Sequence, residues 1–365
     1  MREEHNVLLS GLTTMRVGGP AQRVVTAQTA DELVDAIREV DDADEPLLVV
    51  AGGSNLVISD EGFAGSVVRI ATGGITVESA DSRGGVTIRV AAGEVWDDVV
   101  ARAVAEGWSG IEALSGIPGS AGATPIQNVG AYGQEVAQTI AQVRVWDRGE
   151  QQVRTFANAD CQFTYRYSLF KGEPRYVVLE VVFQLGLADL SAPIGYADLA
   201  SALGVEPDSR VPLADAREAV LAQRRRRGMV LDDADHDTWS CGSFFTNPVM
   251  SASSYAALQD RAQARLGDIG SPDSVFGVVR VPRFDTPGGQ VKTVAAWLIE
   301  QAGFGKGYGL PGPAALSTKH TLAITNRGSA TAADVVALAR ELRDGVQDVF
   351  GVSLVNEPVL VGTSL

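Results

Sequence analysis

The stretch that most constrains how this chain can fold is SGIPGSAGATPIQNVGAYG, residues 115–133. It shows neither the period of an amphipathic helix nor the alternation of a half-buried strand. A long aperiodic segment inside a compact domain is more often functional than idle. The fold must therefore hold this segment as an irregular loop, and the loop is a candidate binding site.

A second glycine loop, AGGSN at 51–55, follows a short apolar run. Both loops could expose consecutive backbone N–H groups that cradle a pyrophosphate, with Ser54, Asn55 and Ser120 as further donors. They could equally be tight turns in a compact domain, since glycine turns are common. Spacing alone leaves both interpretations open.

The segments around these loops predict a mixture of strands and helices. Thr29 begins a capping-box pattern before a helical apolar face, and Thr331 begins a second helix that ends at Gly351. Short runs rich in Val and Ile, such as PLLVV before Gly52, indicate buried strands. The chain is therefore expected to be α+β.

Length and charge narrow the class of protein. A chain of 365 residues predicts roughly two to three domains. The best boundary follows the arginine run at 224–227, where an acidic link begins. The net charge of −15 argues against nucleic acid as a partner, because binding phosphates requires a favourable positive field.

Cysteine and histidine are too scarce for a metal-based or disulfide-based fold. The chain has 2 Cys and 3 His, and their scatter does not match a zinc site or a disulfide framework. No basic leader precedes an apolar run, and no segment reaches the ~18 consecutive apolar residues of a membrane helix. We expect a cytoplasmic protein without a metal and without a membrane anchor.

The common nucleotide-binding fingerprints are absent. The glycine-rich AGFGKGYG has Lys306 followed by Gly307, where a P-loop needs Ser or Thr for magnesium. No G-x-G-x-x-G lies between a clear strand and a helix, so a dinucleotide-binding Rossmann domain is not supported.

Three further features are ambiguous when taken singly. The run from Arg224 to Arg227 could complement a helix dipole or hold a diphosphate. Arg166 lies between two tyrosines in YRYS, and on a strand it would point away from both of them. Glu357 in NEP is typical of a turn before proline.

The segment WSCGSFFTNP, residues 239–248, is a loop with an apolar anchor in Phe244 and Phe245. Cys241 lacks a convincing activating partner beyond His236, and we expect it to be a bystander. Ser243 follows Gly242, where a sharp turn could expose its hydroxyl. G-x-S-x-G is absent, so hydrolase chemistry is not indicated.

Taken together and in order, AGGSNLVISDEGF, SGIPGSAGATPIQNVGAYG, CQFTYRYS, CGSFFTNP and NEPVLVG resemble one family, the UDP-N-acetylenolpyruvoylglucosamine reductases, or MurB flavoenzymes. The resemblance covers nearly the whole chain. It implies a two-domain FAD-binding fold of the vanillyl-alcohol-oxidase type with a third, α+β substrate-binding domain. The implied divisions are 1–75 with the C-terminal strand at 350–365, then 76–227, then 228–349.

The resemblance also implies which residues bind FAD. Neither loop has a His or Cys for covalent attachment, so FAD is expected to be bound non-covalently. The implied contacts are Ala51, Gly52, Gly53, Ser54, Asn55, Ile117, Pro118, Gly119, Ser120, Gly122, Ala123, Gln127 and Arg224.

The implied reaction uses one site twice. NADPH reduces FAD and leaves, and the enolpyruvyl ether of UDP-N-acetylglucosamine is then reduced to give UDP-N-acetylmuramate. Ser243 matches the proton donor of the family, and Arg166 and Glu357 match the pair that stabilises the enolate. The implied substrate contacts are Tyr132, Tyr165, Tyr196, Arg227, Asn247 and Lys292.

Some of these matches are incomplete. Tyr196 matches the tyrosine of a mobile loop found in one subgroup, and Arg227 stands where the family often has Lys. We expect a monomer. Two alternatives are an FAD-dependent alcohol or hydroxy-acid oxidase of the same fold and a non-catalytic nucleotide-sugar-binding protein.

Overall fold

The structure is a computed structural model, and it describes residues 1–267, 274–275, 278–286 and 288–365. The chain divides into two compact units. The first contains residues 1–12, 20–53 and 62–231, and the second contains 13–19, 54–61 and 232–365. The predicted boundary after the arginine run therefore lies close to the division observed at 231.

The first unit contains a four-stranded sheet and a larger antiparallel sheet. In the first sheet, Arg2–Leu8 is antiparallel to its neighbour and the other pairs are parallel. Its strands, in spatial order, are Arg2–Leu8, Pro20–Ala27, Phe63–Ile70 and Leu47–Val50. The larger sheet has the order Gln152–Ala157, Ile140–Asp147, Tyr176–Leu187, Gly85–Ala91 and Ile75–Asp81, with Trp108–Ser109 paired to the end of Tyr176–Leu187.

Helices and short turns cover these sheets. The α-helices of the first unit are α1 (Ala30–Asp42), α2 (Trp96–Ala105), α3 (Ala197–Leu203) and α4 (Leu213–Arg226). The 3-10 helices are Leu9–Leu12, Glu112–Leu114, Ala121–Ala123, Val136–Gln138 and Asn158–Cys161, and a hairpin joins Gly130–Ala131 to Gln134–Glu135.

Helix α1 confirms its predicted start and packing face. The Thr29 side chain accepts a hydrogen bond from the Glu32 N–H, which satisfies one of the free donors at the helix start. Leu33, Ile37 and Val40 are fully buried. They pack in the apolar core of the first unit, which also contains Val25 and Val68 of the four-stranded sheet.

The second unit is built around α5 (Ala252–Leu266), α6 (Ala295–Gln301) and α7 (Ala332–Phe350). Its strands are Leu56–Ile58, Val249–Met250, Ser274–Val275, Val278–Val279, Phe284–Asp285, Val291–Lys292, Ala314–Leu316, Ile324–Asn326 and Val359–Val361, and it has a 3-10 helix at His236–Thr238. Phe244 and Phe245 lie in its apolar core, which confirms them as the anchor of their loop.

Helix α7 also confirms its predicted ends. Thr331 and Asp334 form a reciprocal capping box, and Gly351 ends the helix at a positive φ of 67°. Glycine adopts that backbone conformation without steric cost, which is why the helix stops there. Val335, Leu338, Leu342 and Val346 are buried, whereas Val349 is only partly buried.

The finer domain division stays a prediction. The structure does not separate 1–75 from 76–227, which fall largely within the first unit. Residues 350–365 fall within the second unit, where Val359–Val361 pairs in parallel with Leu56–Ile58. No helix in the described part of the chain is both long and apolar enough to cross a membrane.

Candidate active site

The two glycine loops of the first unit meet through their backbones. A Cβ on Gly52 would lie 2.7 Å from the Gly119 Cα, and one on Gly122 would lie 2.4 Å from the Ala92 Cβ. Both distances are shorter than any real Cβ contact. Close backbone approach therefore requires glycine at both positions.

Two buried polar atoms near this surface have no hydrogen-bond partner among the described residues, namely Ser120 Oγ and Arg224 Nε. Arg224 donates to the Met229 carbonyl through Nη2 at 2.7 Å, and burial lowers the pKa of its guanidinium to about 10. Buried polar groups are rarely left unpaired. A ligand with acceptor atoms, as FAD has, would satisfy both of them, so these residues fit the cofactor that the resemblance implies.

Asp97 holds the start of the long loop. Its carboxylate accepts two hydrogen bonds from Arg217, at 2.7 and 2.9 Å, and one from the Gly116 N–H at 2.6 Å. Burial alone would raise the pKa of Asp97, but the bonds from Arg217 and Gly116 outweigh it, and the pKa is lowered. Sequence reasoning missed Asp97 and Arg217, although an acidic residue in the first turn of α2 was visible.

The remaining predicted FAD residues lie in the same loops. In the first unit these are Ala51, Gly53, Ile117, Pro118, Gly119, Ala123 and Gln127. Ser54 and Asn55 belong to the second unit. There the Asn55 side chain donates to the Glu357 carbonyl at 3.2 Å, and the Asn55 carbonyl accepts from the Val359 N–H at 2.9 Å.

Arg166 lies in a tight turn rather than on a strand, so the orientation that a strand would give its side chain does not apply. Its φ is 54°, and the flanking Thr164 and Tyr167 pair across the turn. The guanidinium donates to the Gly130 carbonyl through Nη2 at 2.7 Å, and it lies over the Tyr165 ring, 5.3 Å from the centroid. Both tyrosine neighbours are exposed.

Three of the predicted substrate residues gather in the first unit. The Tyr132 and Tyr196 rings meet edge to face with centroids 5.5 Å apart. Burial raises the pKa of Tyr132, while the positive charges of Arg224 and Arg227 act to lower it. Arg227 pairs with Asp198 at 3.3 Å, so a basic and aromatic group forms here.

Ser243 and Glu357 lie in adjoining backbone segments of the second unit. The Glu357 N–H donates to the Phe244 carbonyl at 2.9 Å, and Phe245 forms a β-bridge with Asn356. On the other side, the Phe244 N–H donates to the Leu322 carbonyl at 2.7 Å. Main-chain pairing therefore brings Ser243 and Glu357 close together, although they are 114 positions apart in the sequence (357 − 243).

Asn247 and Lys292 lie near the same loop. The Asn247 Oδ1 accepts from the Ala295 N–H at 3.0 Å, which caps the start of α6. Lys292 lies opposite Val249 and Phe284 in a three-stranded sheet, with Nζ 6.0 Å from the Phe284 ring centroid. Asn247 thus has a structural hydrogen bond besides the predicted contact with substrate.

Cys241 is buried beside Ser243. Its thiol contacts the Leu56 carbonyl at 3.3 Å, and burial raises its pKa to about 12. The thiol is therefore protonated near neutral pH, which argues against a nucleophilic role. Among the residues that the structure describes, no group of three or more His, Cys, Asp or Glu is arranged to hold a metal ion.

Comparison with known proteins matches both units. The model of an FAD binding domain matches residues 21–155, and the model of the UDP-N-acetylenolpyruvoylglucosamine reductase C-terminal domain matches residues 233–361. The close approach at Gly52 and Gly122 and the buried donors Ser120 Oγ and Arg224 Nε agree with these matches. Together they define a flavoprotein oxidoreductase with an FAD-binding fold. The expected α+β fold class and the expected FAD cofactor are confirmed.

Relatives that match from end to end narrow the class to one family. A reductase of that name from Streptomyces avermitilis is 56% identical, with 100% of this chain and 96% of the relative covered. One from Thermobifida fusca is 54% identical, with 99% and 98% covered. The chain belongs to the UDP-N-acetylenolpyruvoylglucosamine reductase family.

A solved structure agrees with this assignment. The crystal structure of the reductase from Thermus caldophilus superposes with a TM-score of 0.63 at 26% identity, covering 99% of each chain. The assignment to this family made from the sequence motifs is thus confirmed. The subgroup defined by the tyrosine loop stays a prediction.

Proposed function

We propose that this chain reduces the enolpyruvyl ether of UDP-N-acetylglucosamine to UDP-N-acetylmuramate, an oxidoreductase step of peptidoglycan precursor synthesis, with NADPH as the reductant. The observation that carries the proposal is the identity of 56% with a UDP-N-acetylenolpyruvoylglucosamine reductase along the whole chain. The unpaired donors Ser120 Oγ and Arg224 Nε support the cofactor that such a reaction needs.

FAD, when bound, supplies the redox chemistry by accepting a hydride from NADPH and passing one to the vinyl group of the substrate. The chain supplies a surface for it in the loops at 51–55 and 115–133. The Asp97 carboxylate positions the second loop through Gly116. Non-covalent binding stays part of the proposal, since neither loop contains a His or Cys.

We assign proton donation to Ser243. A hydroxyl is a weak acid, but an enolate carbon is a strong base, so a positioned hydroxyl is sufficient. The φ of 71° at Gly242 turns the chain sharply before Ser243, and the buried Phe244 and Phe245 anchor the chain after it. These neighbours hold the Ser243 backbone still while its side chain acts.

Arg166 and Glu357 act on the charge that develops in the substrate carboxylate. Preorganised groups aimed at developing charge are usually the largest catalytic contribution. The bond from Arg166 Nη2 to the Gly130 carbonyl restrains its guanidinium, and the backbone pairing at Phe244 restrains Glu357. The Arg166 guanidinium and the Glu357 backbone are therefore held before the substrate arrives.

The proposed substrate contacts suit a nucleotide diphosphate sugar. Arg227 and Lys292 supply positive charge for the diphosphate, and Tyr132, Tyr165 and Tyr196 supply aromatic surface. Asn247 supplies an amide. A monomeric state and a cytoplasmic location stay predictions.

Anaerobic spectroscopy of the purified protein tests the proposal. The protein should be yellow, its flavin absorption should disappear on addition of NADPH, and the enolpyruvyl substrate should restore it. UDP-N-acetylglucosamine, which lacks the vinyl group, is the matched control and should restore nothing. Flavin that NADPH bleaches but the enolpyruvyl substrate does not restore would contradict the proposal.

A further inference from the structure

Glu112 is a buried carboxylate that no step of the proposed reaction uses. Its residue is 1% exposed. It accepts hydrogen bonds from the Gly110 N–H at 2.6 Å, the Ala192 N–H at 2.6 Å and the Gln134 side chain at 3.0 Å. None of these partners is a cation, so hydrogen bonds alone compensate the burial of its charge.

We infer that Glu112 is a positioning residue that holds Tyr132 and Tyr196 together at the substrate site. The inference rests on the proposed function, in which both tyrosines contact the substrate. A carboxylate only accepts hydrogen bonds, so it can satisfy three donors from separate segments at once. An amide at the same place cannot accept from all three donors, because its NH2 group would face either the Gly110 N–H or both the Ala192 N–H and the Gln134 amide.

The first tie leads to Tyr132. Gln134 lies on a hairpin whose turn is formed by Tyr132 and Gly133, with φ values of 50° and 87°. The Gln134 amide is held at both ends, because Nε2 donates to Glu112 and Oε1 accepts from the Ala113 N–H at 2.8 Å. Glu112 and its neighbour therefore set the position of the hairpin that carries Tyr132.

The second tie leads to Tyr196. The Ala192 N–H donates to the same Glu112 oxygen that accepts from Gln134. Beyond Ala192, the Ile194 N–H donates to the Ser209 carbonyl at 2.9 Å, which guides the chain to Tyr196 at the start of α3. The two segments that Glu112 binds therefore carry Tyr132 and Tyr196, whose rings meet edge to face.

A competing restraint on this segment is weaker. Asp198 pairs with Arg227 at 3.3 Å, but their side chains are 61% and 38% exposed. Exposed ion pairs contribute little, since water screens them. Glu112 is therefore a stronger link than this ion pair, and it acts beside main-chain bonds such as that from the Ser191 N–H to the Val211 carbonyl at 2.8 Å. It also supports Arg166, whose guanidinium donates to the Gly130 carbonyl of the same hairpin.

The test compares Glu112→Gln with Asp147→Asn. Asp147 is the matched control because it is a fully buried carboxylate that pairs with Arg154 and Arg175, outside the proposed site. We expect Glu112→Gln to raise the KM for the enolpyruvyl substrate about tenfold or more with unchanged FAD content. Asp147→Asn should lower the thermal midpoint and leave the KM within about twofold. Glu112→Leu is the stricter variant, because an amide oxygen could still accept from Ala192 and Gln134. A KM in Glu112→Leu equal to that of Asp147→Asn would overturn the inference.

A double-mutant cycle separates positioning from general destabilisation. If Glu112 acts through Tyr196, then Tyr196→Ala should raise the KM strongly in the wild-type protein and much less in Glu112→Gln. Equal effects of Tyr196→Ala in both backgrounds would show that Glu112 does not act through this tyrosine, and the inference would fail.

Two further measurements test the inference independently of the Glu112 variants and of the enzymatic activity. If the Glu112 variants do not fold, Gln134→Met removes the hydrogen bonds of Gln134 with Glu112 and Ala113, leaves the bond from Ala192 to Glu112, and must still raise the KM. If the wild-type protein fails to reduce the substrate, the proposed function fails, but ¹⁹F spectra of 3-fluorotyrosine protein still report the ring contact. The Tyr196 resonance should shift in Glu112→Gln and not in Asp147→Asn, and an unmoved resonance overturns the inference.

Discussion

The loop at 115–133 and the loop at 239–248 use opposite means to build a site. In the first, the backbone of Gly119 packs closely against Gly52, close approach to Ala92 excludes a side chain at Gly122, and Ser120 Oγ has no hydrogen-bond partner within the described part of the chain. In the second, main-chain bonds at Phe244 satisfy the backbone on both sides. In the proposed function, the glycine loop would therefore depend on the absence of side chains, whereas the loop at 239–248 would depend on one side chain, that of Ser243.

The largest expected effect belongs to Ser243. Ser243→Ala should slow reoxidation of the flavin by the enolpyruvyl substrate by ~10²–10⁴-fold, because the proton donor is lost. Reduction by NADPH should change little, since that step needs no proton from Ser243. Stopped-flow absorbance of each half-reaction measures both rates. Equal losses in the two half-reactions would remove the distinction between the two loops.

A substitution in the glycine loop at 51–55 should weaken FAD binding rather than slow one half-reaction. Gly52→Val places methyl groups against Gly119, and overpacking of this kind costs about 1–3 kcal/mol, so the Kd of FAD should rise roughly 10–100-fold. Gly11→Val is the matched control, because a Cβ there meets nothing within 4 Å. Flavin fluorescence titration measures both constants. A normal FAD affinity in Gly52→Val would refute the role of the close approach.

A smaller effect is expected when the support of the loop is weakened. Asp97→Asn should raise the Kd of FAD about tenfold, because removing one partner of a charged hydrogen bond costs about 1–3 kcal/mol. Asp98→Asn, at the next position and exposed, is the control and should change the Kd little. Fluorescence titration of both variants decides, and similar values would exclude positioning by Asp97.

The pH dependence of this effect has a defined sign. The pKa of Asp97 is lowered in the folded chain, so its contribution is complete above the ordinary carboxyl pKa of about 4. The contribution is lost as the pH falls through the lower folded value. The difference between the wild-type protein and Asp97→Asn should therefore shrink only in acid, and a difference that shrinks near neutral pH would contradict the assignment.

The smallest effect is expected at Cys241, two residues from Ser243. Burial raises the pKa of its thiol to about 12, so almost none of it is thiolate near neutral pH. Cys241→Ala should keep both half-reactions within about threefold of the wild-type rates, since a buried protonated thiol is inert. The same stopped-flow measurements apply, and a loss as large as that of Ser243→Ala would identify Cys241 as a participant.

Much of the fold could be predicted because its signals are local. The capping residues Thr29 and Thr331 and the terminal Gly351 act on neighbours in the chain, so their patterns predicted α1 and α7 correctly. The sequence did not assign Arg166 to any element. Its turn depends on pairing between Thr164 and Tyr167 and on a hydrogen bond to the Gly130 carbonyl. The short sequence YRYS cannot specify a contact with a residue so far away in the chain.

Sequence alone determined the starts of α1 and α7, the end of α7 at Gly351, the anchoring phenylalanines and the family, because each depends on residue type in a short pattern or in an ordered set of patterns. Tertiary structure alone decided that Asp97 supports the loop at Gly116, that Glu112 joins Gln134 to Ala192, and that Glu357 pairs with Phe244. These contacts join atoms far apart in the chain. Buried polar atoms must find partners wherever the fold brings them, and no local pattern specifies which partner that will be.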